Sequence, residues 1–470
     1  MSEAVVAESY DVAVIGAGPA GLAAAATCAA AGCKTVLFDE GATPGGQIYR
    51  AIEETPVRER PVLGESYWRG RNLVDAFRAS AARYVPNATV WSLTPDREIG
   101  VSFSGAATLT RAERVILCTG ALERPLPIPG WTLPGVMTVG AAQTLLKSSG
   151  LVTSGRTVLA GCGPLLWLVA AQYLRAGATI EAILDTTARG NRLRAMAHAV
   201  PFMRSGYFAE GLALLREVKR RVRVIAGVTL LRAIGKDEVS AISYSTDGEE
   251  TSIPVDNLFL HQGLAPNVNL AMAVGVEHRW DEIQLCWVPR LDRDGNSNME
   301  GFAVAGDGAG IAGAEAARWR GVVAGIAAAR ALGRDVPAAD EQQARNELAG
   351  ALRGRRFLDE LYRPAKNFRV PAGDTIVCRC EEVVASEISA TVALGCPGPN
   401  QMKAFLRCGM GPCQGRLCGL TVTELIAEGR GVSPNAVGYY RVRAPVKPIT
   451  VQELATLPKS DAGMKAVIRT

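Results

Sequence analysis

The sequence predicts an α/β fold of two dinucleotide-binding (Rossmann-like) units with a small helical domain at the C-terminus. Three observations point there. A β-α-β pattern with a G-x-G-x-x-G turn opens the chain, a second such pattern recurs near residue 160, and six of the eleven cysteines crowd between Cys378 and Cys418. At 470 residues the chain is too long for one core and suits two or three domains. A hydrophobic content of 48% with 21% charged residues is that of a globular protein. The net charge of +5 is spread thinly, without a block of one sign, which speaks against a nucleic-acid partner. The start, "MSEAVVAESYD", has no basic region followed by an apolar run, so no secretory leader is expected. The longest apolar stretch, "VLAGCGPLLWLVAAQYL", is broken by glycines and a proline and is short of the roughly 20 residues of a membrane span. The expected location is the cytoplasm, where cysteines serve as metal ligands or buried thiols before they serve as disulfides.

The first element is the run Val12 to Ile15, a buried strand. Gly16-Ala17-Gly18-Pro19-Ala20-Gly21 follows, then an alanine-rich helix to about Ala31 and a strand from Thr35 to Phe38 closed by Asp39 and Glu40. Gly16 permits the tight turn, Gly18 lets backbone approach a pyrophosphate, and Gly21 lets the helix pack close to the strand. The helix start then offers free N–H groups and a positive dipole end to phosphate. Asp39 lies where a carboxylate binds both hydroxyls of a ribose. The second pattern, "RTVLAGCGPLLWLVAAQYLRAGATIEAILD", has Gly161, Gly163 and the closing Asp185, but Leu166 stands where the third glycine belongs. Two readings of it stay open: a nucleotide held differently, such as a structural adenine nucleotide, or a scaffold without a ligand. The third signal is "GFAVAGDGAG": a strand ending at Gly306 and Asp307, with Gly308 and Gly310 leaving room for a bulky group. "RVILCTGALERPLPIPGW", with Thr119 and Gly120, and "FLHQGLAPN" are apolar strands running into proline-bearing connections, expected as crossings between domains.

Near the C-terminus stands Cys378-x-Cys380, then 381–407, then Cys408-x4-Cys413. The intervening stretch is expected as two helices broken at Pro397-Gly398-Pro399, a hairpin carrying one pair to the other. Four thiolates suffice for a [2Fe–2S] cluster. Zinc is the alternative, although structural zinc generally takes a wider pair than C-x-C; a disulfide is disfavoured by compartment. Cys418 is left over, expected as a buried helix cysteine that could at most substitute for Cys413, and Cys396 as a loop thiol. Of the three histidines, His198 is expected at the surface, and His261 either near the dinucleotide's reactive end or as packing.

The N-terminal glycine turn, "LCTGALERP" and "VAGDGAG", in that order, resemble the two-dinucleotide-domain flavoproteins of the glutathione-reductase and thioredoxin-reductase type. The resemblance implies FAD held by Gly16, Gly18, Pro19, Ala20, Gly21, Asp39 and Glu40, with Asp307 beside Gly306 on the ribityl chain, Thr119 and Gly120 alongside, and Pro44, Gly45, Gly46 and Gln47 running past the flavin. One departure matters: disulfide reductases of this type carry a redox cysteine pair, but "GGQIYRAIEE" has none and no cysteine falls between Cys162 and Cys286. The cysteine spacing resembles the [2Fe–2S] domain of bacterioferritin-associated ferredoxin. With the tail "VGYYRVRAPVKPITVQELA", the whole chain is similar to the alpha subunits of heteromeric opine and amino-acid dehydrogenases. That resemblance implies one domain pair split as 1–120, 121–260 and 261–370, a [2Fe–2S] domain at 371–440 and a tail at 441–470. It further implies amine oxidation on a smaller partner flavoprotein of the D-amino-acid-oxidase type, with FMN where the chains meet, a small third chain, a downstream electron acceptor and peripheral contact with the inner membrane. The competing function is a self-sufficient NAD(P)H-dependent ferredoxin or acceptor reductase, with Gly161, Gly163 and Asp185 holding the nicotinamide cofactor.

Overall fold

The computed structural model describes residues 9–457, so the leader reading at the first eight residues and the end of the tail, 458–470, lie outside it. Strand β1 (Ser9–Ile15) is apolar and buried on both faces from Val12 onward, as the centre of a parallel sheet must be. Helix α1 (Pro19–Ala30) begins with Pro19 at its first position, where a missing N–H costs nothing. Strand β2 (Thr35–Phe38) pairs with β1 in parallel, and β3 (Arg83–Val85) pairs with β2. An antiparallel extension follows: β4 (Thr89–Leu93), β5 (Glu98–Phe103) and β6 (Ala106–Leu117), the last returning alongside β1.

The chain then crosses at β7 (Ala121–Glu123) to a second sheet. Strand β8 (Val136–Thr138) leads into helix α2 (Val139–Ser149), and β9 (Thr157–Cys162), α3 (Pro164–Arg175) and β10 (Ile180–Asp185) form the second β-α-β unit with the bounds its sequence suggests. Helices α4 (Arg189–Met196), α5 (Ala199–Met203) and α6 (Gly206–Lys219) precede β11 (Arg223–Ala226). A three-stranded meander, 228–254, covers one face, and β12 (Asn257–Gln262) completes the parallel sheet between β9 and β8. Strand β13 (Leu264–Pro266) pairs antiparallel with β7, so both crossings lie side by side.

Back in the first domain, a two-stranded ribbon (β14, His278–Asp281; β15, Cys286–Pro289) precedes β16 (Phe302–Val304), which joins the first sheet beside β6. A 3-10 turn over Gly306–Ala309 leads into α7 (Ala314–Ala331). Helix α7 lies on α1, and the two come so close that a Cβ on Gly321 would stand 2.1 Å from the Ala20 carbonyl oxygen and one on Gly325 3.0 Å from that of Ala24. Helices α8 (Ala338–Leu352) and α9 (Arg355–Leu361) then lead to the cysteine-rich end. There, β17 (Ile376–Cys378) precedes the expected hairpin, α10 (Ala385–Ala393) and α11 (Pro399–Leu406), and α12 (Gly419–Arg430) packs against it. The break falls at the predicted prolines, Pro399 opening the second helix of the hairpin. No helix among the described residues is long and apolar enough to cross a membrane.

The α1–α7 contact tolerates no side chain at Gly321. Gly321→Leu is expected to lower the melting temperature sharply, by an overpacking cost of about 3 kcal/mol or more, whereas the exposed Gly350→Ala in α8, whose Cβ meets nothing within 4 Å, should cost far less; equal melting temperatures would contradict the packing described.

Candidate functional site

The first glycine turn is built to leave backbone open. Gly16 has φ of +106°, and a Cβ there would sit 2.4 Å from the Cys118 carbonyl oxygen. Gly21 closes the turn on itself, since a Cβ would lie 1.7 Å from the Gly16 oxygen. Gly16 and Gly18 stay half-buried, and Gly18 caps α1 without any side chain taking its first N–H groups. Pro19 and Ala20 are buried in the first helical turn. Asp39 accepts from the N–H of Ala17 at 2.5 Å and of Gly41 at 2.7 Å; burial raises its carboxyl pKa and those two donors oppose the rise. Gly45 donates to the Ala17 oxygen at 2.9 Å, and Gly46 runs so near that its Cβ would lie 2.7 Å from the Gly18 Cα. The result is a groove of free amides floored by glycine, suited to a pyrophosphate. The Glu40 carboxylate pairs with Lys447 of the C-terminal tail at 2.6 Å. Gln47 accepts from Arg50 at 3.2 Å.

The groove continues past Thr119 and Gly120 to the loop 306–313. A Cβ on Gly308 would meet the Gly120 oxygen and Thr119 Oγ1 at 3.6 Å, and one on Gly306 would meet the Ala20 Cβ at 2.7 Å. Thr119 donates to the Asn267 oxygen at 3.0 Å. Asp307 accepts from the N–H groups of Ala312 (2.8 Å) and Gly313 (3.0 Å). Sequence motifs give no sign of the side chains that hold this loop. Gln284 grips Ile311 twice, donating to its oxygen at 2.7 Å and accepting from its N–H at 3.0 Å. Arg320 donates to the Gly306 oxygen at 3.0 Å, and Tyr207 to that of Ala312 at 3.1 Å. Arg355, on α9, is bonded to Asp359 at 2.7 Å, and Asp359 in turn accepts from Gln284 at 3.3 Å. On the other side, Lys147 is buried with no acidic partner, donating to the oxygens of Gln47 (3.2 Å) and Ile48 (2.8 Å) and to Gln143 (2.9 Å). Burial pushes its ammonium down to about 7.

The second glycine turn is different. Gly161, Cys162 and Gly163 are all buried. A Cβ on Gly161 would lie 1.6 Å from the His261 oxygen, and one on Gly163 2.8 Å from His261 Nε2. His261 therefore belongs to this turn, where its Nδ1 meets Glu123 at 2.5 Å, and not to the loop 306–313. Glu123 also accepts from the Gly140 N–H at the start of α2, at 2.8 Å. The linker after α9 closes over the turn: the Tyr362 carbonyl lies 3.6 Å from the Cys162 sulfur, and Asn191 donates to the oxygens of Leu361 and Arg363. Burial raises the Tyr362 phenol, and the neighbouring Asp185 carboxylate adds to that rise. Leu166, in place of the third glycine, is fully buried.

All eleven cysteines are free thiols. The sulfurs of Cys378, Cys408 and Cys418 lie within 4.8 Å of one another, all buried. Hydrogen bonds from Cys408 and then Cys418 hold the Cys378 thiol down to about 2. Cys380 and Cys413, both half-buried, face one another. Cys418 is thus no bystander: it caps α12 and stands against Cys378 and Cys408, correcting the expectation that placed it outside the site. Cys396 is a loop thiol, donating to the Gly398 oxygen. Glycine is required around the group because the Tyr440 ring fills the space: a Cβ on Gly409 would lie 2.4 Å from it and one on Gly415 2.6 Å. Tyr440 Oη stands 3.7 Å from the Cys418 sulfur.

Packed aromatic rings lead from this group into the ribbon β14–β15. Tyr440 meets Tyr439 at 5.7 Å, Tyr439 meets Trp287 at 6.2 Å, and Trp287 meets Trp280 at 5.9 Å between ring centres. Beside them lies buried charge. Arg124 donates to the oxygens of Gln284 and Leu285, both at 2.8 Å, and reaches Glu424 of α12 at 4.0 Å, while Arg369 pairs with the other oxygen of Glu424. The turn that grips Ile311 is therefore bonded to the residue that anchors the cysteine-rich domain.

Residues 10–333 match the family model described as pyridine nucleotide-disulphide oxidoreductase, and 372–457 match the sarcosine oxidase A3 domain. The chain is 46% identical over 472 residues to an opine oxidase subunit of Rhizobium meliloti, covering 98% of this chain and 90% of that one. It is 30% identical over 461 residues to a hydrogen cyanide synthase subunit of Pseudomonas aeruginosa, covering 93% and 96%. The crystal structure of L-proline dehydrogenase from P. horikoshii shares the fold with a TM-score of 0.72 at 18% identity, over 96% of this chain and 80% of that one.

Two outcomes test the groove and its support. Gly18→Leu should fill the space over Gly46 and leave purified protein without visible flavin absorbance; a full flavin complement would overturn the assignment. The unfolded chain binds more protons than the folded one between the buried Lys147 value of about 7 and the ordinary 10.5, so stability rises with pH across that window. Relative to Lys147→Met, the wild type should gain melting temperature from about pH 6.5 to about pH 9; a constant difference would show that Lys147 does not titrate there.

Proposed function

The chain belongs to the pyridine nucleotide-disulphide oxidoreductase family, in the group that includes these opine oxidase chains, and we propose that it is the electron-transferring subunit of a heteromeric dehydrogenase for an opine or secondary amino acid. In this reading the amine is oxidised on a smaller partner flavoprotein of the D-amino-acid-oxidase type. FMN where the chains meet, a small third chain and a separate electron acceptor complete the assembly, which works in the cytoplasm with peripheral contact at the inner membrane.

The observation that carries the proposal is the packing of a thiol group onto a flavin-type groove through Arg124, Glu424 and the aromatic rings. FAD would lie along Gly16, Gly18, Gly21, Asp39, Gly46, Thr119, Gly120, Gly306 and Asp307, and a [2Fe–2S] cluster on the C-terminal thiols. Flavin takes two electrons as a hydride and can release them singly, and such a cluster carries one at a time. The protein's own contribution is orientation. The loop 306–313 is gripped by Gln284, Arg320 and Tyr207, and the cysteines are brought together by a hairpin and α12, whose Glu424 is bonded to the same support. Cys380 with Cys413 would hold one iron, and Cys378 with Cys408 the other. The Cys418 sulfur lies within 4.8 Å of both Cys378 and Cys408, so it would be the thiol to stand in for Cys408.

Tyr362 beside Asp185 and the buried Gly161 and Gly163 argue against NAD(P)H as the reductant, because an adenine nucleotide of any role would have to displace the linker. An amino-acid carboxylate calls for an arginine fork, and the buried arginines near the loop 306–313 are already committed: Arg355 to Asp359, Arg320 to backbone oxygens. This supports amine oxidation on another chain.

Protein purified without air should contain about two iron and two acid-labile sulfide per chain. Cys378→Ser, Cys380→Ser and Cys413→Ser should each abolish the cluster, Cys408→Ser and Cys418→Ser should each weaken it, and the double variant should lose it; zinc in place of iron would sink the assignment. The isolated chain should reduce no dye with octopine, nopaline, proline, hydroxyproline or sarcosine, and the partner flavoprotein should restore turnover. Rapid bleaching of its flavin by NADH would favour the reductase reading instead.

A further inference from the structure

Helix α5 is the sequence Ala-Val-Pro-Phe-Met, wholly apolar, and none of its residues is buried. A short helix of that composition gains nothing from standing in water, since each exposed apolar side chain forgoes the free energy of burial. It is the centre of a larger patch. Leu193 (80% exposed) and Met196 (64%) point outward from α4, Val200 (54%) and Met203 (53%) from α5, and Phe208 (37%) from the start of α6. No acidic residue occurs between Asp185 and Glu210, a stretch that holds Arg189, Arg192, Arg194 and Arg204. Asp247 neutralises Arg189, and Glu360 lies near Arg194. Arg192 and Arg204 are exposed at the rim, with no ion pair among the described residues.

The inner side of the patch rests on the parts that hold the loop 306–313. Phe202 stacks on Phe357 of α9, with ring centres 4.1 Å apart and planes 9° from parallel. Helix α9 also carries Arg355 and Asp359, which bond to each other and to Gln284. Tyr207, one residue before Phe208, donates to the Ala312 oxygen. A molecule seated on this patch would therefore lie one layer of side chains from the loop that serves the flavin.

We propose that the α4–α5–α6 patch is the docking surface for the amine-oxidising partner flavoprotein, met by an apolar face with an acidic rim. The proposal rests on the functional reading above and adds the place of contact to it. Charge separates this occupant from a second copy of the chain, because a two-fold contact would bring together two rims that each carry Arg192 and Arg204. Closeness to the flavin loop favours the electron donor over a membrane, and so does the shape. The apolar residues come from three short elements turned at His198 and Ser205, whereas an interfacial helix presents one continuous apolar face. The two methionines suit a surface that must pack against another protein, being unbranched and adaptable.

The test uses the full-length tagged chain, co-expressed with its partner flavoprotein. Wild type should capture a second flavin-bearing chain that confers amine-dependent dye reduction. Leu193→Asp with Met203→Asp should lower that capture by at least about tenfold, as expected when central apolar contacts of an interface are lost. The variant's own flavin absorbance and iron content should not change. Leu394→Asp, equally exposed (81%) on the cysteine-rich domain, should capture as wild type does. Full capture by the double variant would overturn the proposal while leaving the functional reading intact. So would a wild type that self-associates through the patch, or one that binds vesicles of phosphatidylcholine and phosphatidylglycerol through it while the complex persists. Failure of the wild type itself to bind any flavoprotein would instead strike the functional reading.

Discussion

A guanidinium sealed from water is costly unless every charge around it is matched, and Arg124 is the place where this fold meets that cost. It is 4% exposed and sits just past the first crossing between domains. Its Nη2 donates to the carbonyls of Gln284 and Leu285, and its Nη1 faces Glu424, itself 5% exposed and shared with Arg369. Such a buried group adds little net stability over an apolar equivalent, but breaking it by removing one partner costs about 3–5 kcal/mol. Its value here is positional. The three charges come from the domain crossing, the linker and the cysteine-rich domain, and they align only when all three segments are in place. Gln284, one end of this arrangement, also grips Ile311. The loop 306–313 and the thiol group are therefore registered to the same turn.

The thiol group shows the same economy of space. Five sulfurs gather where a β-strand, a helical hairpin and the start of α12 meet, and Tyr440 from the tail fills the remaining volume. Gly409 and Gly415 are fixed by that ring, and Gly411 by the Cys380 side chain, 2.2 Å from where its Cβ would be. The tail is thus a wall of the site. Its Lys447 reaches Glu40 at the end of β2, tying it to the first domain as well.

Two glycine turns of nearly the same sequence have opposite fates in this chain. At the first, the third glycine closes the turn on itself, and the amides remain open to a groove. At the second, Leu166 takes that place, the turn leans on His261, and Tyr362 lies beside the acid that would hold a ribose. A family built for pyridine nucleotides thereby keeps the architecture of the second unit while its own linker covers the ligand edge.

Much of this is legible along the chain. Strand β1, the turn Gly16 to Gly21 and Asp39 are consecutive, so local rules of steric fit and hydrogen bonding fix them, and the same holds for the hairpin break at Pro397-Gly398-Pro399. The C-x-C and C-x4-C pairs can be read because each is short. Cys418 escapes such a reading because its nearness to Cys378 depends on how α12 packs against the hairpin, a relation between distant positions that spacing cannot reveal. The same limit hides Gln284, Arg320, Tyr207 and Lys147. Their hydrogen bonds go to backbone carbonyls and amides, which nearly every residue possesses, so the partner leaves no mark in the sequence. It also hides Arg124, whose charge finds Glu424 only after two crossings have brought distant segments together. Sequence determines chemistry that is local in the chain; pairing between segments is decided by burial, because only a closed core makes an unpartnered charge or amide too costly to leave.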